Sequence, residues 1–208
     1  MLHFETVEPG TLSLLKKLQA LPELKNFSLV GGTALSLKYG HRISVDLDLF
    51  GNSELDKKNI ITVLEKNFRK DFTYTTNRLD WAIFCYIQNI KIDIIRYNYP
   101  IIAPTVTIDG INMYSTEDII AMKFNAILGR GKKKDFWDIY ELLHHFTLQQ
   151  MIDFHFAKFP KQMLAITIPE ALCYFTDADD SEDPISLKGQ TWDHVKSFIH
   201  EKVRNYLS

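Results

Sequence analysis

Asp46 and Asp48, separated by one residue, are the first pair of side chains in this sequence placed to act together. On an extended strand, residues i and i+2 point to one face with alpha carbons roughly 6.5 Å apart, near enough to share two divalent cations about 4 Å from each other. Cations held in that way neutralise phosphate oxygens and acidify an attacking hydroxyl. An Asp-x-Asp alone is weak, because most such pairs are solvated strand faces. Gly31-Gly32 adds to it, lying between the apolar run 27–30 and the helix formers of 33–38. Backbone N–H groups at a strand–glycine–helix junction favour phosphate oxygens, and a side chain there would obstruct the approach. Thirteen residues separate Gly32 from Asp46, room for one helix and a tight return to the same cleft. A third acid, Asp93, interrupts isoleucines at period two in Ile90-Lys91-Ile92-Asp93-Ile94. It would complete a metal shell, or pair with Lys91 or Arg96 on an exposed face.

Other polar residues carry two readings each. The Thr33 hydroxyl is either a phosphate donor or a helix cap. Arg42 and Ser44, on the approach to the acids, orient phosphate or brace the carboxylates, with an ordinary Arg42 salt bridge as the alternative. Lys123 lies i+3 from Ile120 and i−4 from Ile127, beside the apolar stripe of its helix, so its ammonium needs a partner. That partner is a triphosphate, or water reached by snorkelling. The run Arg130-Gly131-Lys132-Lys133-Lys134 is the densest basic stretch, suited to a triphosphate or RNA backbone or to a solvated turn. Asp135 and Asp138 share a helical face, where the spacing pairs Asp138 with Lys134. Trp137 and Tyr140 read as core aromatics.

These groups need elements to position them. Leu12, Leu14, Leu15 and Leu18 mark a first helix over 9–21, and a strand at 27–30 feeds the glycine turn. Strict alternation over 43–49 predicts a strand that anchors Val45, Leu47 and Leu49 in the core and turns both acids the other way. A helix at 57–68 precedes three strands at 72–76, 81–87 and 90–97, joined as an antiparallel meander. An extended piece at 106–113 leads to Ser115, which caps a helix running to about Leu128. Helical periodicity returns at 133–145, 148–159 and 192–206, while 177–184 reads as an acidic solvated loop.

A chain of 208 residues, 46% hydrophobic and 24% charged, is enough for one unit or for a core with a helical subdomain. A net charge of −2 excludes a global basic field, so any nucleic-acid contact must be a local patch. Cys85 and Cys173, far apart in apolar surroundings, suit buried reduced thiols. No signal-like N-terminus and no run of 18 apolar residues is present, so a soluble cytoplasmic protein with no membrane partner is expected.

Val30-Gly31-Gly32, then Asp46-Leu47-Asp48-Leu49, with Asp93 on a later strand, resembles the DNA polymerase β-like nucleotidyltransferase superfamily. Within it, the Gly-Gly-Thr-Ala-Leu run at 31–35 and Arg42-Ile-Ser44-Val-Asp46-Leu-Asp48-Leu-Phe50 resemble the AbiEii/AbiGii toxin family. So do Lys123, Arg130 and the Lys134-Asp135-Phe-Trp-Asp138-Ile-Tyr140 segment. The resemblance implies an α+β nucleotidyltransferase fold: a small mixed sheet flanked by helices, with a catalytic core at 1–113 and a helical subdomain at 114–208. It implies transfer of a nucleoside monophosphate from NTP to an acceptor, with release of pyrophosphate and with Mg2+ or Mn2+ as cofactor. It assigns Asp46, Asp48 and Asp93 to metal, and these with Lys123 and Asp135 to catalysis. The nucleotide falls to Gly31, Gly32, Thr33, Arg42, Ser44, Lys123, Arg130 and Lys134. A toxin–antitoxin or phage-defence role, an RNA acceptor such as tRNA and a cognate antitoxin follow from the same likeness. The alternatives are a catalytically silent NTP-binding or partner-binding module, or a transferase acting on a small molecule or a protein. An aspartate-based phosphatase fits less well, since Leu49-Phe50 stands where its loop normally carries Thr or Ser.

Overall fold

Every strand of this protein joins one seven-stranded mixed sheet in the computed structural model, which describes residues 1–208. The strands are β1 (Ser28–Val30), β2 (Leu47–Gly51), β3 (Phe72–Tyr74), β4 (Ala82–Ile87), β5 (Ile90–Arg96), β6 (Val106–Ile108) and β7 (Ile111–Met113). Their order across the sheet is β3-β4-β5-β2-β1-β7-β6. The helices are α1 (Pro9–Gln19), α2 (Gly31–Tyr39), α3 (Lys57–Phe68), α4 (Thr116–Gly129), α5 (Lys133–Leu142), α6 (Leu148–Lys158), α7 (Ile168–Leu172), α8 (Thr176–Asp179) and α9 (Trp192–Leu207).

The centre of the sheet decides where the acids sit. β2 pairs antiparallel with β1 and parallel with β5, and β5 pairs antiparallel with β4. In that register Asp48 stands beside Asp93, and Asp93 beside Phe84. The alternate residues Leu47, Leu49, Ile92, Ile94, Ile83 and Cys85 point the other way and are all buried. Their burial fixes the register, because a one-residue slip would exchange the apolar and acidic faces. A single core cluster runs from this face through Phe124, Phe136, Ile139 and Ile199, so the sheet and the later helices share one interior.

Helix ends follow the sequence chemistry. Ser115 accepts from the Asp118 N–H at the start of α4, and Thr147 and Thr191 do the same for α6 and α9. Trp137 and Tyr140 are buried as expected. No helix is long and apolar enough to cross a membrane.

Four local expectations need correction. β2 begins at Leu47, not at Ile43, and Val45 is 55% exposed rather than anchored in the core. The cause lies in the backbone partners of 42–44. Ile43 donates to the Ile185 carbonyl, Ser44 to the Thr6 carbonyl, and Arg42 forms a bridge with Ser186. That segment is held by Thr6 and by 185–186, so sheet alternation does not govern its side chains. Second, 106–113 is a hairpin, β6–β7, turning at Asp109-Gly110. Third, the acidic stretch predicted as a loop begins inside α8. Fourth, Cys85 is buried but Cys173 is only partly so; both are free thiols.

Candidate active site

The site forms where the C-terminal end of β1 meets α2. Gly31 has φ 71° and begins the helix itself, so the junction is tighter than a separate turn. A Cβ there would lie 2.6 Å from Asp48 Oδ2, and one on Gly32 would lie 2.1 Å from Arg42 Nη2. The two glycines therefore make room for the protein's own acid and guanidinium as well as for any phosphate. Gly31→Ala combines a left-handed backbone with a clash against Asp48. We expect it to cut catalytic turnover by about tenfold or more and to lower stability by about 1–3 kcal/mol, read by steady-state assay and urea denaturation. Unchanged turnover would show that Asp48 need not hold its present position.

Thr33 does not cap α2: its hydroxyl bonds the Ser44 hydroxyl at 2.8 Å and the Asp46 carbonyl. It fastens the entry to β2 onto the first turn of α2. Asp46 stands one residue before β2, with Lys134 Nζ 3.3 Å from its Oδ2. Asp93 Oδ2 takes Lys91 Nζ at 2.6 Å, while Asp93 Oδ1 is buried without a partner. Burial, and then the neighbouring Asp93 charge, push the Asp48 carboxyl up to about 6.

Behind the acids lies a buried ion network that spacing alone misassigned. Asp138 does not pair with Lys134. Arg42 donates to it from Nε at 2.7 Å and Nη2 at 2.9 Å; His41 Nε2 is at 2.7 Å and Lys123 Nζ at 2.6 Å. Lys123 also reaches Asp135 Oδ1 at 2.9 Å. Asp138, its three partners and Asp135 are all buried, so the Lys123 ammonium does not snorkel to water. Burial works to raise the Asp138 carboxyl, but Arg42, Lys123 and His41 outweigh it and hold the group well below the usual carboxylate range. Burial likewise opposes the Lys123 charge, and Asp135 and Asp138 more than offset it. Asp135 also accepts from the Lys132 N–H at the start of α5, with Arg130 Nη2 3.7 Å away.

His41 carries no mark in the sequence beyond its place beside Arg42 ahead of the acids. The 185–188 segment carries none, although Leu187 donates to the His41 carbonyl and Lys188 Nζ reaches Glu141 at 2.7 Å. Part of the chain's last quarter thus braces the site.

Gly32, Thr33, Arg42, Ser44, Asp46, Asp48, Lys123, Arg130, Lys134 and Asp135 line one polar cleft of about 50 Å³. Gly31 and Asp93 flank it through their contacts with Asp48. The cleft is narrow where the Lys134 ammonium reaches across to Asp46. No three acidic or imidazole groups already stand as a metal cage, since Asp46 leans on Lys134 and Asp93 on Lys91. The donors still suit a hard divalent cation: they are carboxylate oxygens, Asp48 is short of positive charge, and Asp93 keeps an orphaned oxygen.

Residues 13–183 match the family described as nucleotidyl transferase AbiEii toxin, type IV TA system. This chain belongs to that family. It is a nucleotidyltransferase-family enzyme, and membership in a toxin–antitoxin family brings an NTP substrate and an antitoxin partner. The uncharacterized protein aq_aa25 of Aquifex aeolicus (strain VF5) is 34% identical over 199 residues, covering 93% of this chain and 94% of that one. Two solved structures show the same fold. MenT4, the nucleotidyltransferase toxin Rv2826c of Mycobacterium tuberculosis H37Rv, aligns with a TM-score of 0.59 at 11% identity, over 94% of this chain and 82% of that one. A candidate nucleotidyltransferase from H. pylori aligns at 0.55 with 18% identity, over 95% of each chain. The AbiEii match ends at 183, just before the 185–187 brace.

Proposed function

We propose that this AbiEii protein transfers a nucleoside monophosphate from NTP to a hydroxyl on an RNA such as tRNA, in a divalent-metal-dependent reaction that releases pyrophosphate. The observation that carries it is the cross-strand neighbouring of Asp48 and Asp93, with Asp46 at the mouth and the Gly31-Gly32 helix start alongside. Asp46, Asp48 and Asp93 are the residues to hold magnesium or manganese, which when bound neutralises the triphosphate and acidifies the acceptor hydroxyl. Residues 1–113 then act as the catalytic core, and 114–208 supply the cations that close the cleft.

In this reading the Gly31 and Gly32 backbone and the start of α2 cradle phosphate oxygens. Lys134, 40% exposed, leaves Asp46 for the triphosphate, and Arg130 joins it from the rim. Lys123 stays in place, held by Asp135 and Asp138, and presents a fixed positive charge toward the departing pyrophosphate. Arg42 and Ser44 position rather than bind, since their polar groups are committed to Asp138 and Thr33.

The test is to incubate the protein with each radiolabelled NTP, magnesium and a total cell extract, beside an Asp46→Ala control. We expect label in RNA of about tRNA size and its loss in the control. Label in protein or a small molecule overturns the RNA acceptor; label surviving Asp46→Ala overturns the role of the acids.

A further inference from the structure

The carboxylate face of the sheet does not end at Asp93. Next to it on β4 is Phe84, and beyond that Thr75 donates its N–H to the Phe84 carbonyl. The adjacent row runs from Lys91 to Tyr86 to Thr73. Phe84 and Tyr86, two apart on β4, share the face of Asp93. The same face is covered at its other end: Phe50, Ile95 and Ala82 form the next row, and Tyr97 packs on Phe50 at 5.1 Å. At the cleft end it is open. Tyr86 is 48% exposed and Phe84 is half-buried.

An exposed tyrosine on a β-strand is often a neighbour for cross-strand packing and nothing more. Its place here says more. Phe84 is one strand spacing, about 4.8 Å, from Asp93 and about twice that from Asp48. A nucleotide whose hydroxyl is presented to Asp93 has its base at about that reach. Aromatic faces accept any base by stacking, and the partly exposed Lys91 ammonium beside Tyr86 adds a positive charge for the phosphate backbone. The opposite flank of the acids, toward Lys123, Arg130 and Lys134, is polar and cationic and has no aromatic in its lining. The two flanks are therefore chemically distinct, one for a triphosphate and one for a base.

We propose that Tyr86 and Phe84 form a stacking platform for the terminal base of a single-stranded nucleic acid acceptor, with Lys91 against its backbone. This rests on the nucleotidyl-transfer reading above and names the acceptor half of that site. Tyr86 and Phe84 are positioning residues and take no part in bond making.

The probe is a short single-stranded oligoribonucleotide carrying a 5′ dye and a free 3′ hydroxyl, compared with the same strand made abasic at its last position. The full-length protein should bind the base-bearing strand about tenfold more tightly or better. Tyr86→Ala should erase that preference and Tyr86→Phe should keep it, while NTP affinity stays unchanged in both. Equal binding of the two strands by the unmodified protein overturns the platform, as does Tyr86→Ala lowering NTP affinity in parallel. Transfer to a protein or small molecule but never to RNA also overturns it, and leaves nucleotidyl transfer standing. Conversely, label surviving in Asp46→Ala defeats the assignment of the acids without touching the oligonucleotide result.

Discussion

Asp48→Asn is expected to lose nucleotidyl transfer by about a thousandfold or more while becoming more stable than the parent protein in the absence of divalent cations. The first effect follows from removing the central carboxylate, which stands between Asp46 at the mouth and Asp93 on β5. A loss of that size is what taking away a major electrostatic group from a phosphoryl-transfer site produces. The second follows from the cost of the charge. Burial and the Asp93 carboxylate push Asp48 up to about 6, so the folded protein favours its protonated form. A carboxyl raised in this way contributes stability below its unfolded value, and the contribution disappears as pH rises through about 6. At neutral pH the ionised Asp48 is a net cost on the order of 1–3 kcal/mol, and Asn, which has no charge, does not incur it. For a chain of this length that is roughly 2–12 °C in Tm. Melting curves with a chelator present, from about pH 8 to about pH 5, should show the parent gaining on Asp48→Asn as the solution is acidified. A difference in Tm that stays flat across that range would mean that Asp48 is already neutralised by its surroundings. Magnesium should reverse the ranking, because only the parent offers it this carboxylate.

Asp138→Ala should be the most destabilising single change in the site, costing about 3–5 kcal/mol. Asp138 is fully buried and is the common anion for Arg42, Lys123 and His41, three groups from two other parts of the chain. Its removal leaves a guanidinium and an ammonium in the interior with only Asp135 to balance them. That penalty for unpaired charge exceeds whatever the intact network contributes over an apolar replacement. Arg42 would also lose what holds its guanidinium in place against Gly32, so the glycine junction would loosen along with the core. Urea denaturation should place the Asp138→Ala midpoint far below the parent's, with Asp138→Asn between them, since the amide keeps the shape and part of the hydrogen bonding. If Asp138→Ala unfolded at the parent's midpoint, the network would be solvated in solution. Glu141, whose Lys188 and His145 partners are partly exposed, serves as a control and should cost much less.

Much of this protein is legible in its residue pattern. The strand–glycine–helix junction, the acids two apart, the meander of β3, β4 and β5 and the cap at Ser115 are local, and local periodicity encodes them. Asp93 is recognisable because a lone acid among alternating isoleucines must face away from the core they build. Gly32, Asp46, Asp48, Lys123 and Asp135 stand out in the sequence by type and spacing, and the fold brings them to one cleft.

The pairing of charges is not legible in that way. Helical spacing matches Asp138 with Lys134, four residues away, whereas the fold gives Asp138 to Arg42 from 96 residues away and turns Lys134 to Asp46, 88 residues away. Periodicity reports which side of an element is apolar, but says nothing about which element will pack against that side. Charge attraction inside a low-dielectric interior selects partners by distance in space, and long-range packing alone sets that distance. The same reason explains Val45 and the late start of β2: 42–44 takes its backbone partners from Thr6 and 185–186, segments that carry no local mark of it. Residue types and their periodicity mark the groups able to act on phosphate and the faces that must be buried. Which cation each carboxylate meets, and which surface beside Asp93 stays open, depend on segments far apart in the chain packing together.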